Sequence, residues 1–165
     1  MTMYDIIEKK KNNLELTKEE ISFFVSGYVN NEIPDYQVSS LLMAIVLNGM
    51  NDEETTNLTI AMANSGDKIK FNFNAADKHS TGGVGDKTTL IVAPIVASLD
   101  CKVAKMSGRG LGFTGGTIDK LESIPGFKVQ LTDDDFINQI NNINIALISQ
   151  TKNIAPADKK IYALR

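Results

Sequence analysis

Hydrophobic positions near the start of the chain recur with the spacing of an α-helix. Thr17 and Glu20 have the spacing of a capping box, which satisfies free backbone amides where a helix begins. The apolar residues that follow occupy positions i, i+3, i+4 and i+7, namely Ile21, Phe24, Val25 and Tyr28. We expect this apolar face to form a core. Part of the third predicted helix, which follows Pro34, is expected also to pair with another subunit, since so small a four-helix lobe buries limited surface alone.

The same signals predict further helices on either side. Residues 3–11 form a short amphipathic pattern, whose lysines at 9–11 are expected to lie on a solvated face. Asn51 with Glu54 repeats the capping-box spacing. Pro34 suits the start of another helix, since residues 36–49 are largely apolar up to a stop at Asn48-Gly49. The pattern therefore predicts four short helices in an all-helical lobe over residues 1–65.

The pattern changes after Gly66, where apolar and polar residues begin to alternate. Period-two alternation at Ile69, Phe71 and Phe73 predicts a strand. Further short apolar runs predict strands at residues 102–106, 127–131 and 145–149. Helical patterns lie between or after them, at residues 88–100, 118–124, 134–143 and 156–165. Strands separated by helices predict right-handed crossovers and a mainly parallel sheet.

The predicted fold class is α/β, with an N-terminal all-helical lobe followed by the first part of a mainly parallel α/β lobe. The expected limits are residues 1–65 for the helical lobe and residues 66–152 for the partial α/β lobe. Residues 153–165 are expected to begin a helix that returns to the helical lobe.

Composition excludes several classes of function. The net charge of −3 over 165 residues argues against a general nucleic-acid binder, which would carry a basic excess. The single cysteine, Cys101, rules out an internal disulfide framework and suits a reducing compartment. No apolar run approaches the ~20 residues that cross a bilayer. We therefore expect a cytoplasmic protein with no nucleic-acid or membrane partner.

Glycines concentrate in two segments that each follow a predicted strand and precede a helix. Eight of the 12 glycines lie between Gly82 and Gly116. Residues with side-chain donors accompany them: Lys78, Ser80, Thr81, Thr88, Thr89, Lys105, Ser107, Arg109, Thr114 and Thr117. Backbone amides converging beside such donors favour an anion, and two loops at one sheet edge can share it. A glycine-rich turn without a ligand is the alternative, because neither segment fits the P-loop or dinucleotide spacing.

His79 is the only histidine in the chain and lies beside the first glycine segment. A lone histidine is most simply a surface or core residue. Imidazole nevertheless titrates near neutral pH, and at the rim of a phosphate site it could pass a proton to a leaving group. The pattern therefore predicts a phosphate-binding α/β lobe with His79 as its candidate acid.

Three stretches resemble the thymidine and pyrimidine-nucleoside phosphorylases, and the resemblance extends over essentially the whole chain. They are "DKHSTGGVGDK", "KMSGRGLGFTGGTIDKLESIPGF" and "APADKKIYALR". The resemblance implies a pentosyltransferase in which phosphate attacks C1′ of a pyrimidine nucleoside, giving free base and pentose 1-phosphate. It also implies a homodimer formed through the helical lobe.

The resemblance assigns roles by position. Phosphate would be held by Lys78, Ser80, Thr89, Lys105, Met106 (through its backbone), Ser107 and Thr117. His79 would donate a proton or hydrogen bond to the pyrimidine carbonyl, and Arg165 would bind the pyrimidine. In some members a structural potassium ion is held by backbone carbonyls that match Gly85 and Lys87.

The chain departs from the family pattern in two residues and in length. Phe113 stands where histidine is usual, and Lys87 where a small residue is common. Members of the family are more than twice as long, so we expect an N-terminal fragment that is inactive alone. The alternatives are a non-catalytic dimerisation or phosphate-binding module and, with weaker resemblance, an anthranilate-type phosphoribosyltransferase.

Overall fold

The structure is a computed structural model that describes residues 1–79, 86–109, 115–151 and 153–164. Two compact units make up the chain. One contains residues 1–68 together with the C-terminal helix, and the other is Ile69–Thr151. The order of a helical bundle followed by an α/β unit confirms the predicted fold class.

The helical unit contains four N-terminal helices and the C-terminal one. They are α1 (Met3–Lys11), α2 (Lys18–Val29), α3 (Asp35–Asn48), α4 (Asp52–Ala63) and α8 (Pro156–Tyr162). Both predicted capping boxes are confirmed. The Thr17 hydroxyl accepts from the Glu20 amide at 3.3 Å, and the Asn51 side chain accepts from the Glu54 amide at 2.8 Å. These bonds satisfy amides that a helix leaves free at its start.

The core of the helical unit is the apolar face that the sequence predicts for α2, packed against α1 and α3. Its most buried side chains are Ile6, Ile21, Phe24, Val38 and Leu41. Burying one such side chain contributes roughly 1.5–3 kcal/mol. The helices are therefore held by tertiary packing more than by their own propensity.

A buried ion pair joins α1 to the start of α4. Lys10 Nζ donates to both carboxylate oxygens of Glu54, at 2.7 and 3.0 Å, with residue exposures of only 3% and 2%. The same carboxylate accepts from the backbone amides of Leu16 at 2.8 Å and Asn51 at 3.0 Å. The prediction that residues 9–11 form a solvated face is therefore wrong at Lys10, because Glu54 gives its ammonium a buried partner.

The described residues of the α/β unit form three helices and two parallel strands. In order these elements are α5 (Lys87–Ser98), β1 (Val103–Ser107), α6 (Thr117–Glu122), α7 (Asp133–Ile143) and β2 (Ile145–Ser149). The strands pair in register from Val103 opposite Ile145 to Ser107 opposite Ser149. The predicted strands at 102–106 and 145–149, and their parallel pairing, are confirmed. A single parallel bridge between Ala76 and Val103 brings the preceding segment alongside β1.

Two predicted strands are wrong. Residues 69–73 form no strand, and the Phe71 ring instead contacts Phe73 at 5.1 Å and Phe136 of α7 at 6.2 Å between centroids. Residues 127–131 also form none, although the Val129 carbonyl accepts from the Ser149 amide at 2.9 Å. In the first segment the phenylalanine rings therefore pack against other rings, and in the second Val129 lies in a core cluster with Ile118, Leu121 and Leu147. Within the described ranges, no helix is both long and apolar enough to cross a membrane.

We predict that Glu54→Gln destabilises the chain by roughly 3–5 kcal/mol, because it leaves the Lys10 ammonium buried without its counter-charge. Urea unfolding at neutral pH measures the loss. Glu8→Gln is the matched control, since it removes an ion pair to Lys11 that lies at the surface and should change the unfolding free energy little. A Glu54→Gln chain as stable as the wild type would contradict the importance of the buried pair.

Candidate functional site

The carboxyl ends of β1 and β2 lie side by side, and the second glycine segment begins directly after β1. Lys105, Met106 and Ser107 are the last three residues of β1, and Ser107 pairs with Ser149. Gly108 follows, where an added Cβ would lie 2.9 Å from the side-chain nitrogen of Gln150. A larger residue at this position would therefore require the Gln150 side chain to move. This strand edge is where ligands bind in open α/β sheets.

The Asp86 carboxylate lies at the centre of the described site. Asp86 is 8% exposed and caps α5, its Oδ1 accepting from the Thr89 amide at 3.4 Å. Lys78 Nζ and the Thr88 hydroxyl also donate to Oδ1, the latter at 3.0 Å. Oδ2 accepts from the Thr89 hydroxyl at 2.6 Å and from the Thr117 hydroxyl at 3.3 Å. One carboxylate therefore gathers donors from both glycine segments.

Three of the predicted phosphate residues meet at this carboxylate. Lys78 Nζ lies 3.2 Å from the Thr89 hydroxyl as well as contacting Asp86. Thr117 is the first residue of α6, and both threonines are buried. Lys78, Thr89 and Thr117 are thus close together although 39 positions separate the first from the last.

Lys105 lies in a second ion pair beside the first. Its Nζ is 3.2 Å from Asp77 Oδ1, and its side chain is buried while that of Asp77 is 51% exposed. The bridge of Ala76 to β1 sets this pair, because the Ala76 amide donates to the Lys102 carbonyl at 2.8 Å and the Ala104 amide to the Ala76 carbonyl at 3.1 Å. The segment that carries Asp77 and Lys78 is therefore tied to the strand that carries Lys105.

Hydrogen bonding keeps the Asp86 carboxyl ionised. Burial alone would raise its pKa, but the hydrogen bonds from Lys78, Thr89 and Thr88 outweigh burial and hold the pKa well below its usual range. The two lysines thus face two aspartates, which balances their charge within the cluster.

The remaining predicted residues lie near this cluster or outside the described ranges. His79 follows Lys78 and is exposed, whereas Lys87 is the first residue of α5. Ser80, Gly85 and Arg165 lie outside the described residues, as do Phe113 and the loop donors Thr81 and Thr114. Arg109, which the sequence grouped with the loop donors, instead forms ion pairs with Glu122 and with Asp119 of α6, the latter at 3.3 Å.

Sequence reasoning missed both aspartates. Asp86 stands three residues before Thr89, which is the spacing of an N-cap and could have marked it as the start of α5. Its bond to Thr117 joins residues 31 positions apart, and no local pattern reports such a contact. Asp77 gives no comparable signal.

Two domain comparisons define the class of protein. Residues 4–66 match the description "Glycosyl transferase family, helical bundle domain", and residues 72–165 match "Glycosyl transferase family, a/b domain". The chain belongs to this glycosyl transferase family.

Several curated relatives that align with the whole chain are pyrimidine-nucleoside phosphorylases. Over 168 aligned residues that include 100% of this chain, it is 61% identical to the pyrimidine-nucleoside phosphorylase of Staphylococcus haemolyticus (strain JCSC1435). It is 60% identical to that of Bacillus subtilis (strain 168) and 59% to that of Geobacillus stearothermophilus over the same span. The chain spans 39% of the length of these curated relatives.

A solved structure supports the fold. Anthranilate phosphoribosyltransferase (TrpD) from Thermus thermophilus matches with a TM-score of 0.74, covering 98% of this chain and 50% of that one. Because the identity is 18%, this likeness concerns the fold alone.

We predict that the stabilising effect of Asp86 disappears in acid. A carboxyl whose pKa is lower in the folded chain stabilises the fold above its unfolded pKa, near 4, and loses that contribution as the pH falls through the folded value. The difference in unfolding free energy between the wild type and Asp86→Asn should therefore be largest near neutral pH and shrink below about pH 4.

Urea unfolding at a series of pH values measures this difference. Asp134→Asn, at an exposed position of α7, controls for the general loss of one carboxylate. A difference between wild type and Asp86→Asn that stays constant from pH 7 to pH 3 would contradict the ionised, hydrogen-bonded carboxylate.

Proposed function

We propose that the chain is the phosphate-binding portion of a pyrimidine-nucleoside phosphorylase. The observation that carries the proposal is the 61% identity to such an enzyme along the entire chain. The grouping of Lys78, Thr89 and Thr117 supports it, because these are the side chains that the resemblance assigns to phosphate. The wider phosphate set adds Ser80, Lys105, the Met106 backbone and Ser107.

The proposed reaction transfers a pentose from a pyrimidine to phosphate. A phosphate oxygen forms a bond to C1′ while the bond from C1′ to the pyrimidine nitrogen breaks, and the electron pair of that bond leaves with the base. Lysine ammonium groups and hydroxyls hold the anionic nucleophile in place, which removes much of the entropic cost of bringing two reactants together. Pentose 1-phosphate and free base are the products.

His79 acts on the leaving base in this proposal. Negative charge builds on the pyrimidine ring as the glycosidic bond breaks, and an imidazole that donates a hydrogen bond or proton to the ring carbonyl stabilises it. The exposed position of His79 next to Lys78 suits a group that faces a substrate arriving beside phosphate. Arg165 binds the pyrimidine in the same proposal.

A potassium ion held by backbone carbonyls of Gly85 and Lys87 belongs to the proposal as a structural element. Lys87 opens α5, so its carbonyl enters the helical hydrogen bonding and keeps a second lone pair. That arrangement fits one ligand of a large cation. When bound, the ion would stabilise the loop without entering the chemistry.

The cellular setting follows from the same proposal. The protein would act as a homodimer through its helical unit, in the cytoplasm, in nucleoside salvage. A second candidate is a non-catalytic phosphate-binding or dimerisation module, supported by the same grouping of Lys78, Thr89 and Thr117 around Asp86.

We predict that the chain binds inorganic phosphate but releases no free base when it is mixed alone with thymidine or uridine, because it is only the phosphate-binding portion of the proposed enzyme. Chromatography of the base measures any release, and omission of phosphate is the control because hydrolysis would not need it. Base release that requires phosphate would contradict this expectation, because it would show that the chain is catalytic by itself, and it would also exclude the binding module. Neither binding nor release would contradict both candidates.

We predict that His79→Ala, made in the complete enzyme, lowers kcat/KM for phosphorolysis by about 10²–10⁴-fold, the usual loss of a general acid. His79→Gln is the matched variant, since an amide donates a hydrogen bond but does not supply a proton. Activity retained by His79→Gln alone would assign a hydrogen bond rather than proton transfer. Unchanged kcat/KM in both variants would exclude a role for His79 in the chemistry.

A further inference from the structure

We propose that Asp86 is a positioning residue of the phosphate site, whose carboxylate fixes Lys78 Nζ, both directly and through the hydroxyl of Thr89, before phosphate arrives. This inference rests on the proposed function. Lys78 precedes the first glycine segment, Thr89 follows it, and Thr117 follows the second. Contacts to Asp86 join all three.

The number of protons on each donor determines whether it can bind a further acceptor while it contacts Asp86. A threonine hydroxyl has one proton, and Thr89 directs its proton at Asp86 Oδ2 over 2.6 Å while accepting from Lys78. Lys78 has three ammonium protons, and the contacts to Asp86 and Thr89 use two of them. The third can meet an anion. Asp86 thus sets the direction of the ammonium and leaves one donor available.

Exposure explains why Lys78 needs such a partner. Its side chain is 30% exposed, whereas the carboxylate that holds it is 10% exposed. Without that carboxylate a flexible lysine on a partly open surface would turn towards water, and ordering it again would cost side-chain entropy when phosphate binds. A pre-positioned donor avoids that cost.

Asp77 provides a matched comparison for charge. It also pairs with a lysine of the proposed phosphate set, Lys105, but its side chain is 51% exposed. Its described contacts join neither Thr89 nor Thr117. If an aspartate mattered only as a negative charge near phosphate, removing either one should have a similar effect.

Titration of the full 165-residue chain with inorganic phosphate, followed by calorimetry, tests the inference. We expect Asp86→Asn to raise the Kd for phosphate about ten-fold or more, the scale of one lost charge-assisted hydrogen bond. Asp77→Asn should change the Kd by less than about two-fold or tighten binding. It removes the repulsion between the Asp77 carboxylate and phosphate, and it leaves the contacts of Thr89 and Thr117 to Asp86 in place. Where turnover is measured, Asp86→Asn should raise KM for phosphate more than it lowers kcat.

Three results would overturn the inference. Asp86→Asn could bind phosphate as tightly as the wild type, or both aspartate variants could weaken binding equally, which would indicate a charge effect alone. A wild-type chain that binds no phosphate would overturn the proposed phosphate site and the role of Asp86 with it. The two results for the variants leave the proposed function intact, whereas the result for the wild-type chain does not. Failure of the inference can therefore be distinguished from failure of the proposed function.

A second variant covers the case in which Asp86→Asn does not fold. Thr88 is exposed on α5, and its hydroxyl donates to Asp86 Oδ1. Thr88→Val removes that bond at the surface, and it should weaken phosphate binding about three-fold, consistent with one neutral hydrogen bond. An unchanged Kd in a folded Thr88→Val chain would then overturn the inference.

Discussion

The hydrogen bonds to the Asp86 carboxylate determine the geometry of the α/β unit's site. A buried carboxylate is costly unless donors surround it, so its position constrains every residue that satisfies it. Lys78, Thr88, Thr89 and Thr117 supply those donors from three separate segments. The starts of α5 and α6 are consequently fixed at one point, and the lysine is held beside them.

The arrangement of the strands brings the segments that carry these donors to the same edge of the sheet. Parallel pairing of β1 with β2 aligns Ser107 and Ser149 at one edge, and the bridge at Ala76 places the segment before Lys78 along β1. Because parallel strands end on the same side, the chain segments that leave them share a crevice. Two lysines thereby reach the same region, and each is paired with an aspartate.

Local signals in the sequence predict the elements but not the contacts between them. Caps at Thr17 and Asn51 are encoded within three residues, so both are predictable. Alternation at residues 69–73 predicts a strand, yet Phe71 packs against Phe136, a residue 65 positions away. The partner of Asp86 in α6 depends on tertiary structure in the same way, so the candidate donors were predictable and the carboxylate that organises them was not.

The two lysine–carboxylate pairs show how similar chemistry serves different purposes. Glu54 binds Lys10 and also accepts from backbone amides, whose directions are fixed by the chain, and both side chains are almost fully buried. Asp86 is held mainly by hydroxyls and by a lysine that reaches solvent. A hydroxyl proton can rotate and a partly exposed ammonium has three protons to share, whereas a buried backbone amide has one proton in a fixed direction. The first pair is therefore suited to holding a fold, and the second to orienting a lysine that still reaches solvent.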